Sequence, residues 1–286
     1  MQATQDRMLG HVGELSSEPR PAVVPGWGAL GALLGREITR FFRQPTRPIA
    51  AVATPLMILV FLAAGFARTF APAGDASGLA QGVGEPGSYG SFALAGMISL
   101  AVMFSAIFSA ISLIEDRNSG FLQGVLVSAT PRWALVGAKV GAGSLLAAAQ
   151  GALLLPALPI LGIWPDPLSL LIAMAALTCL AIGVCGLALA LAWRVDSIQG
   201  FHGIMNGVLM PMWLLSGSVF QVAGSAGWLR ALMLANPLTW PTEAARHALT
   251  GAAGLPEAVG GLVWPLTIAF AAVGVGLALA MMRRSG

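Results

Sequence analysis

Long apolar runs without a charged side chain recur along the chain. They cover residues 48–67, 89–114, 140–161, 167–193, 201–220 and 261–282. Each is close to the roughly 20 residues that an α-helix needs to cross the hydrocarbon core of a bilayer. Prolines inside the runs fit this interpretation, because membrane helices tolerate kinks where neighbouring helices satisfy the freed backbone groups. The pattern predicts an all-α integral membrane protein with six transmembrane helices over 48–286.

The segment before the first run has a helical periodicity of its own. Its apolar side chains recur at steps of three and four, as Trp27, Leu30, Leu34, Ile38 and Phe41. Arg36, Arg40 and Arg43 fall on the opposite face. The pattern predicts an amphipathic interfacial helix over 25–47 that lies in the inner headgroup layer. Docking of a soluble partner on this helix is a second possibility.

Two further segments differ from the apolar runs. Residues 1–24 contain charged side chains with Ser, Pro and Gly but no apolar core, so a secretory signal peptide is disfavoured and a disordered cytoplasmic tail is expected. Residues 221–260 are too many for a tight turn and too apolar for a solvated loop. Their prolines and their length favour two short re-entrant helices in the outer leaflet.

Composition strengthens the membrane interpretation. Apolar residues make up 57% of the chain and charged residues 9%, and the mean hydropathy is +0.81. A soluble domain has about a quarter of its residues charged, so most of this chain is expected to contact lipid. The net charge of +3 comes from scattered arginines that form no continuous stripe, which disfavours nucleic-acid binding.

The positions of the positive charges predict the orientation. With a cytoplasmic N-terminus, only Arg68, Arg230 and Arg246 of the 15 Lys and Arg residues fall on the outer side. Short cytoplasmic loops are enriched in Lys and Arg, so both termini are predicted to be cytoplasmic.

The sequence contains neither a G-x-S-x-G nor an H-E-x-x-H enzyme motif. The single lysine, Lys139, precedes Val140, so no phosphate-binding loop with the G-x-x-x-x-G-K-[ST] pattern is possible. Cys179 and Cys185 have poor spacing for a disulfide or a metal pair, and no catalytic residue or bound metal is predicted. A serine protease pair of Ser216 and His202 is less favoured than helix packing. The predicted spans contain no Asp, Glu, Lys or Arg, which disfavours ion-coupled transport by the chain alone.

Three segments resemble a known family. Glu115-Asp116-Arg117-Asn118-Ser119-Gly120, followed by Pro131-Arg132 and Gly137-Ala138-Lys139, is similar to the segment after the second span of the type 2 ATP-binding-cassette (ABC) exporter permeases. Pro211 and Leu215-Ser216-Gly217 resemble the fifth span of that family. Asn236-Pro237-Leu238-Thr239-Trp240 with Glu243-Ala244-Ala245-Arg246 resembles the stretch that follows it. Gln221 and Trp240 depart from the usual Pro and Tyr.

The resemblance implies the permease subunit of an ATP-driven exporter in the plasma membrane, the inner membrane of a bacterium. It would act with a second copy of itself or a homologous permease and with cytoplasmic ABC ATPase subunits, which would bind ATP and Mg. The expected coupling residues are Glu115, Asp116, Arg117, Gly120, Phe121, Pro131 and Arg132. The expected residues of an outer gate or re-entrant region are Pro211, Ser216, Gly217, Asn236, Pro237, Glu243 and Arg246. Alternatives are a membrane scaffold or assembly factor and a secondary transporter, and each coupling charge could equally be a solvated topology signal.

Overall fold

The computed structural model describes residues 26–69, 89–128, 130–251 and 254–284. The predicted tail over 1–24 lies outside these ranges. All regular elements within them are helical. The α-helices are α1 (Gly26–Phe42), α2 (Thr46–Thr69), α3 (Tyr89–Asn118), α4 (Phe121–Val127), α5 (Arg132–Ala152), α6 (Ala157–Ile160), α7 (Pro167–Ala192), α8 (Ile198–Ile204), α9 (Met210–Trp213), α10 (Gly227–Ala235), α11 (Thr239–Thr250) and α12 (Val263–Arg284). Two π-helical segments (Met205–Leu209, Leu214–Ser218) and a 3₁₀ helix (Glu257–Leu262) complete the list.

Four helical segments are long and apolar enough to cross a membrane. They are Phe92–Asn118, Arg132–Ile160, Pro167–Ala192 and Ala258–Arg283. The described part of α2 contributes a shorter apolar segment, Ile49–Phe61. The chain is therefore an all-helical, multi-pass membrane protein, and the count of six spans stays a prediction.

Helix α3 forms the centre of the molecule. It packs against α2, α5, α7 and α11, and most of its side chains from Ala93 to Ile114 are buried. Small residues let the other helices approach closely, as is usual in membranes. A Cβ atom on Gly186 of α7 would lie 2.3 Å from the carbonyl carbon of Gly274 in α12. The backbones of these two helices are therefore in direct contact.

Helix α1 rests on α5 through a pair of glycines. A Cβ atom on Gly137 would lie 2.9 Å from Leu30 Cδ1, and one on Gly141 would lie 3.5 Å from Leu34 Cδ1. The apolar face predicted for the segment 25–47 thus packs on protein. Its place relative to the headgroups stays a prediction.

Helices α3 and α5 extend past the uncharged runs. The second run stops at residue 114, whereas α3 continues to Asn118. The third run starts at 140, whereas α5 begins at Arg132 and contains Lys139. The spans were predicted to lack charged residues, whereas the observed helices contain them near their ends. Hydropathy cannot show that a charged side chain inside a helix is paired.

The fifth run, 201–220, is a broken helix. Segments of α-helix alternate with wider π-helical turns, and Pro211 lies within α9. Gly217 ends the helical conformation with φ of +80°, a left-handed value that glycine adopts without steric strain. After it, two short helices, α10 and α11, lie between 221 and 260, and their re-entrant position in the outer leaflet stays a prediction.

Candidate functional site

A buried lysine joins three helices at one end of α3. Lys139 Nζ of α5 donates hydrogen bonds to Glu37 Oε1 of α1 at 2.9 Å and to Asp116 Oδ2 of α3 at 2.6 Å. It also donates to Ser112 Oγ at 2.9 Å. Lys139 is 2% exposed, Glu37 8% and Asp116 0%. A charged lysine this deep is stable only because two carboxylates and a hydroxyl surround its ammonium group.

Two arginines of α1 complete this group. The Arg36 guanidinium donates to both carboxylate oxygens of Asp116, at 2.8 and 3.3 Å, and to Glu37 at 3.0 Å. Arg40 donates to Asp116 at 2.7 Å and to Glu115 at 2.5 Å. The hydrogen bond to Asp116 raises the pKa of Arg36, so this cation stays charged.

We call this group the charge cluster. Its members are Arg36, Glu37, Arg40, Ser112, Glu115, Asp116 and Lys139. Three cations balance three carboxylates, so the cluster is neutral as a whole. Arg43, the third arginine predicted on the basic face of α1, is exposed. Arg36 and Arg40 bind carboxylates of α3.

Arg117 ties α3 to the end of α7. Its guanidinium donates to the carbonyl oxygens of Trp193 at 2.9 Å and Val195 at 3.0 Å. It also reaches Asp196 at 3.3 Å, and this carboxylate is 99% exposed. The last carbonyls of a helix lack intrahelical partners, so a cation there is favourable. Arg117 therefore holds α7 in place beside the charge cluster.

Helix α4 follows immediately after this region. Gly120, with φ of +77°, turns the chain from α3 into α4. The Arg36 guanidinium lies 3.7 Å from the centroid of the Phe121 ring, and Leu122 is buried. At the C-terminal end of α4, Leu126 is 43% exposed and Val127 91% exposed. The helix is thus attached to the charge cluster at its first residue and presents apolar side chains at its last turn.

The remaining predicted coupling residues begin α5. Pro131 precedes the first residue of α5 and contacts the start of α1, where a Cβ atom on Gly26 would lie 2.9 Å from the proline ring. Arg132 donates to the carbonyl oxygen of Met282 in α12 at 3.4 Å. The seven residues predicted for coupling therefore lie on both sides of α4 or within its first turn.

A second buried ionic group lies at the other end of α3. Arg246 is 0% exposed and donates to a carboxylate oxygen of Glu243, which is 2% exposed. It also donates to the Gly217 carbonyl oxygen at 2.5 Å and lies 3.9 Å from the Phe92 ring centroid. Burial raises the pKa of the Glu243 carboxyl, and the charge of Arg246 opposes that rise. We call Glu243 and Arg246 the outer pair, after their predicted side.

Other residues predicted for the outer region fix the broken helix to α10 and α11. Asn236 donates to the Met212 carbonyl oxygen at 2.5 Å, and its Oδ1 accepts from the Leu238 amide at 3.1 Å. Ser216 Oγ donates to the Trp213 carbonyl oxygen at 2.6 Å. The structure thus brings Gly217 to the outer pair, with Ser216 next to it in the chain. Asn236, followed by Pro237, binds the broken helix instead, and Pro211 is exposed on α9.

Sequence reasoning missed Glu37, Ser112 and Lys139 as site residues. Glu37 follows Leu30 and Leu34 at helical spacing, so its carboxylate was a signal of a polar contact on the packed face of α1. Lys139 lies between Gly137 and Gly141, the glycines on which α1 rests. Among the described residues no group of three or more His, Cys, Asp or Glu side chains could hold a metal ion.

Comparison with known proteins identifies the family. A comparison with curated proteins gave no match to this sequence. The sequence profile described as ABC-2 type transporter matches residues 28–250, which include the charge cluster, α4 and the outer pair. This match covers well over half of the chain, and four apolar helices of the structure are long enough to span a membrane. The chain belongs to the ABC-2 type transporter family and is a membrane permease component of an ABC transporter.

Proposed function

We propose that the chain is the permease subunit of an ATP-driven exporter and that α4 docks on a separate cytoplasmic ATPase subunit. The observation that carries this proposal is α4 itself. Leu126 and Val127 are exposed at the end of a short helix whose first residue, Phe121, contacts Arg36. An apolar surface beside charged groups suits a cleft on a soluble partner. Membership of the family supports an ABC ATPase as that partner.

The charge cluster would transmit movement of α4 into the membrane. Its ion pairs join α1, α3 and α5, so these helices would move together when α4 is pushed. Helix α3 carries Asp116 near one end and Phe92 near the other, about 36 Å apart at 1.5 Å per residue. Because the Phe92 ring contacts Arg246, a shift of α3 would also reach the outer pair. Two copies of the permease, or one copy with a homologue, would enclose the path of the exported substrate.

The proposal includes six crossings with both termini in the cytoplasm. The distribution of arginines supports this orientation, with α2 and the broken helix as the first and fifth spans. Reporter fusions after Arg20, Asn118 and Arg284 should report the cytoplasm, and fusions near Asp166 should report the outside. A C-terminal fusion that reports the outside would contradict the six-span arrangement.

Copurification tests the docking of α4. The permease is expressed with an ABC ATPase encoded beside it, and the amount of ATPase recovered with the purified permease is measured. Val127→Glu should reduce recovery at least tenfold, since a carboxylate would enter an apolar contact. Gln199→Glu, at an exposed position of α8 and outside α4, is the matched control and should leave recovery unchanged. Wild-type recovery with Val127→Glu would show that α4 is not the docking helix.

A further inference from the structure

A cavity of about 490 Å³ lies beside the outer pair, between α7, α11 and the segment that enters α12. Its volume falls within the range of about 300–1,000 Å³ that is typical of small-molecule sites. It is lined by Ile172 of α7, by Glu243 and His247 of α11, and by Leu255, Val263 and Trp264. The polar side chains that line the cavity are thus one carboxylate, one imidazole and the hydroxyl of Ser169, and the others are apolar.

The polarity of the cavity is set by the orientation of the outer pair. Glu243 lines the cavity, whereas Arg246 is fully buried and directed to Gly217 and to the Phe92 ring. Glu243 is thus the member of this ion pair that borders the cavity, and Arg246 is not among the lining residues. No Lys or Arg is among the described residues that line the cavity. A ligand group at this position should carry positive charge.

The apolar side chains define the rest of the ligand. Ile172, Val263 and Leu255 offer no hydrogen-bonding groups, so the part of the ligand against them should be hydrocarbon. Trp264 adds an aromatic face, which attracts an ammonium group. Trp264 stands at the start of α12, and tryptophan is enriched at membrane interfaces, where an amphiphile would enter.

We propose that this cavity binds an alkylammonium amphiphile, with its ammonium group directed to Glu243 and its chain along Ile172 and Val263. This site does not depend on coupling to an ATPase. Binding can therefore be measured on the purified permease alone, and its failure would leave the proposed permease function untouched.

Equilibrium binding of radiolabelled dodecylammonium to the full chain in dodecyl maltoside micelles tests the site. The wild-type protein should show a saturable component for dodecylammonium, and neither dodecanol nor dodecanoate should show one. Equal saturable binding of dodecanol or dodecanoate would overturn the assignment of a cationic head. Absence of any saturable dodecylammonium binding would overturn the site as a whole.

Variants of two adjacent glycines test whether dodecylammonium binds in this cavity. Gly260 lines the cavity and Gly261 does not. A Cβ atom at either position would have no atom within 4 Å, so phenylalanine starts without a clash at both. Gly260→Phe should weaken dodecylammonium binding at least tenfold, and Gly261→Phe should bind as the wild type does. Unchanged binding in Gly260→Phe would place the site elsewhere and overturn the proposal.

Competition identifies the source of the ligand. Displacement of dodecylammonium by lysophosphatidylethanolamine but not by lysophosphatidylglycerol would support a membrane aminolipid as the occupant. Displacement by neither lipid would support a soluble amine in the same site. Displacement by lysophosphatidylglycerol alone would contradict a site that selects an ammonium group.

Discussion

The two buried ionic groups at the ends of α3 use the same residue types for different purposes. In the charge cluster, three cations and three carboxylates come from three helices far apart in sequence. In the outer pair, Glu243 and Arg246 lie one turn apart on α11, and Arg246 also donates a hydrogen bond to the Gly217 carbonyl oxygen. The cluster therefore unites separate helices, whereas the pair stabilises a single break in the chain.

Removal of the lysine from the charge cluster should have the largest effect. Lys139→Met removes the more deeply buried of the two cations that bind both Glu37 and Asp116, and leaves Arg36 as the other. Loss of one partner from a buried ionic group costs about 3–5 kcal/mol, and here two carboxylates lose a partner. We expect a lower free energy of unfolding by this amount, measured by denaturant titration in detergent, and α1 should become susceptible to proteolysis.

Arg43→Met is the matched control for Lys139→Met. The Arg43 side chain is exposed, and Arg43 directly follows α1, the helix that carries Arg36 and Arg40. Its replacement should leave unfolding unchanged. If Lys139→Met is as stable as Arg43→Met, the charge cluster does not unite the three helices.

Removal of the arginine from the outer pair should have a smaller effect. Arg246→Leu leaves one carboxylate unpaired, at a cost of about 3 kcal/mol near neutral pH. Burial already raises the pKa of Glu243, and the variant also lacks the cation that opposes this rise. The folded state then holds the proton more tightly than the unfolded chain does, so stability should increase as the pH falls toward the ordinary glutamate pKa of about 4.3.

The measurement for Arg246→Leu is the free energy of unfolding at several pH values, against the wild type. The deficit of the variant should shrink as the pH is lowered. A deficit that stays constant or grows at low pH would show that Glu243 is not the group left unpaired.

Alanine variants at three glycines separate the cost of backbone strain at positive φ from the cost of a steric clash. Gly217→Ala should cost about 1–2 kcal/mol, because alanine is strained at positive φ. Its Cβ would also lie 2.6 Å from Glu243 Oε1. Gly251 has φ of +67° and open space around an added Cβ atom. Gly251→Ala should therefore lower the free energy of unfolding by the backbone strain alone. Gly203→Ala, inside α8, should be neutral or slightly stabilising. Equal unfolding free energies for all three variants would refute the account of the break.

The smallest effect is expected beside the cluster. Arg117→Ala removes the guanidinium that binds the carbonyls at the end of α7, and should cost about 1–2 kcal/mol. Asp196→Ala should cause no measurable change, because this carboxylate is almost fully exposed. Thermal unfolding in detergent compares the two variants. Equal melting temperatures would mean that Arg117 acts only through Asp196, contrary to its observed contacts.

The apolar pattern of the sequence predicted the helical membrane fold and the two short helices between 221 and 260, because burial in lipid leaves a strong compositional signal. It did not predict that α5 begins at Arg132, so Lys139 was interpreted as a topology signal. The motif resemblance selected Glu115 and Asp116, but not Glu37, which shares Arg36 and Lys139 with Asp116. Pairing of side chains far apart in sequence depends on how helices pack, and hydropathy carries no record of it.

The break at Gly217 shows a similar limit. An uncharged run from 201 to 220 is compatible with one continuous helix. The π-helical turns and the left-handed glycine are stabilised by contacts from α11 and α3, including Arg246 to Gly217 and Trp213 to the Gly96 carbonyl. Those contacts become evident only when the helices are assembled.

The most direct test of the account is the ATPase turnover of the assembled complex in lipid, measured for the wild type, Glu115→Ala and Asp196→Ala. Glu115 binds Arg40 in the charge cluster, whereas the exposed Asp196 lies outside it. The account predicts that both variants copurify with the ATPase at wild-type yield. Turnover should fall several-fold in Glu115→Ala and stay unchanged in Asp196→Ala. Full complex formation with full turnover in Glu115→Ala would contradict transmission through the charge cluster.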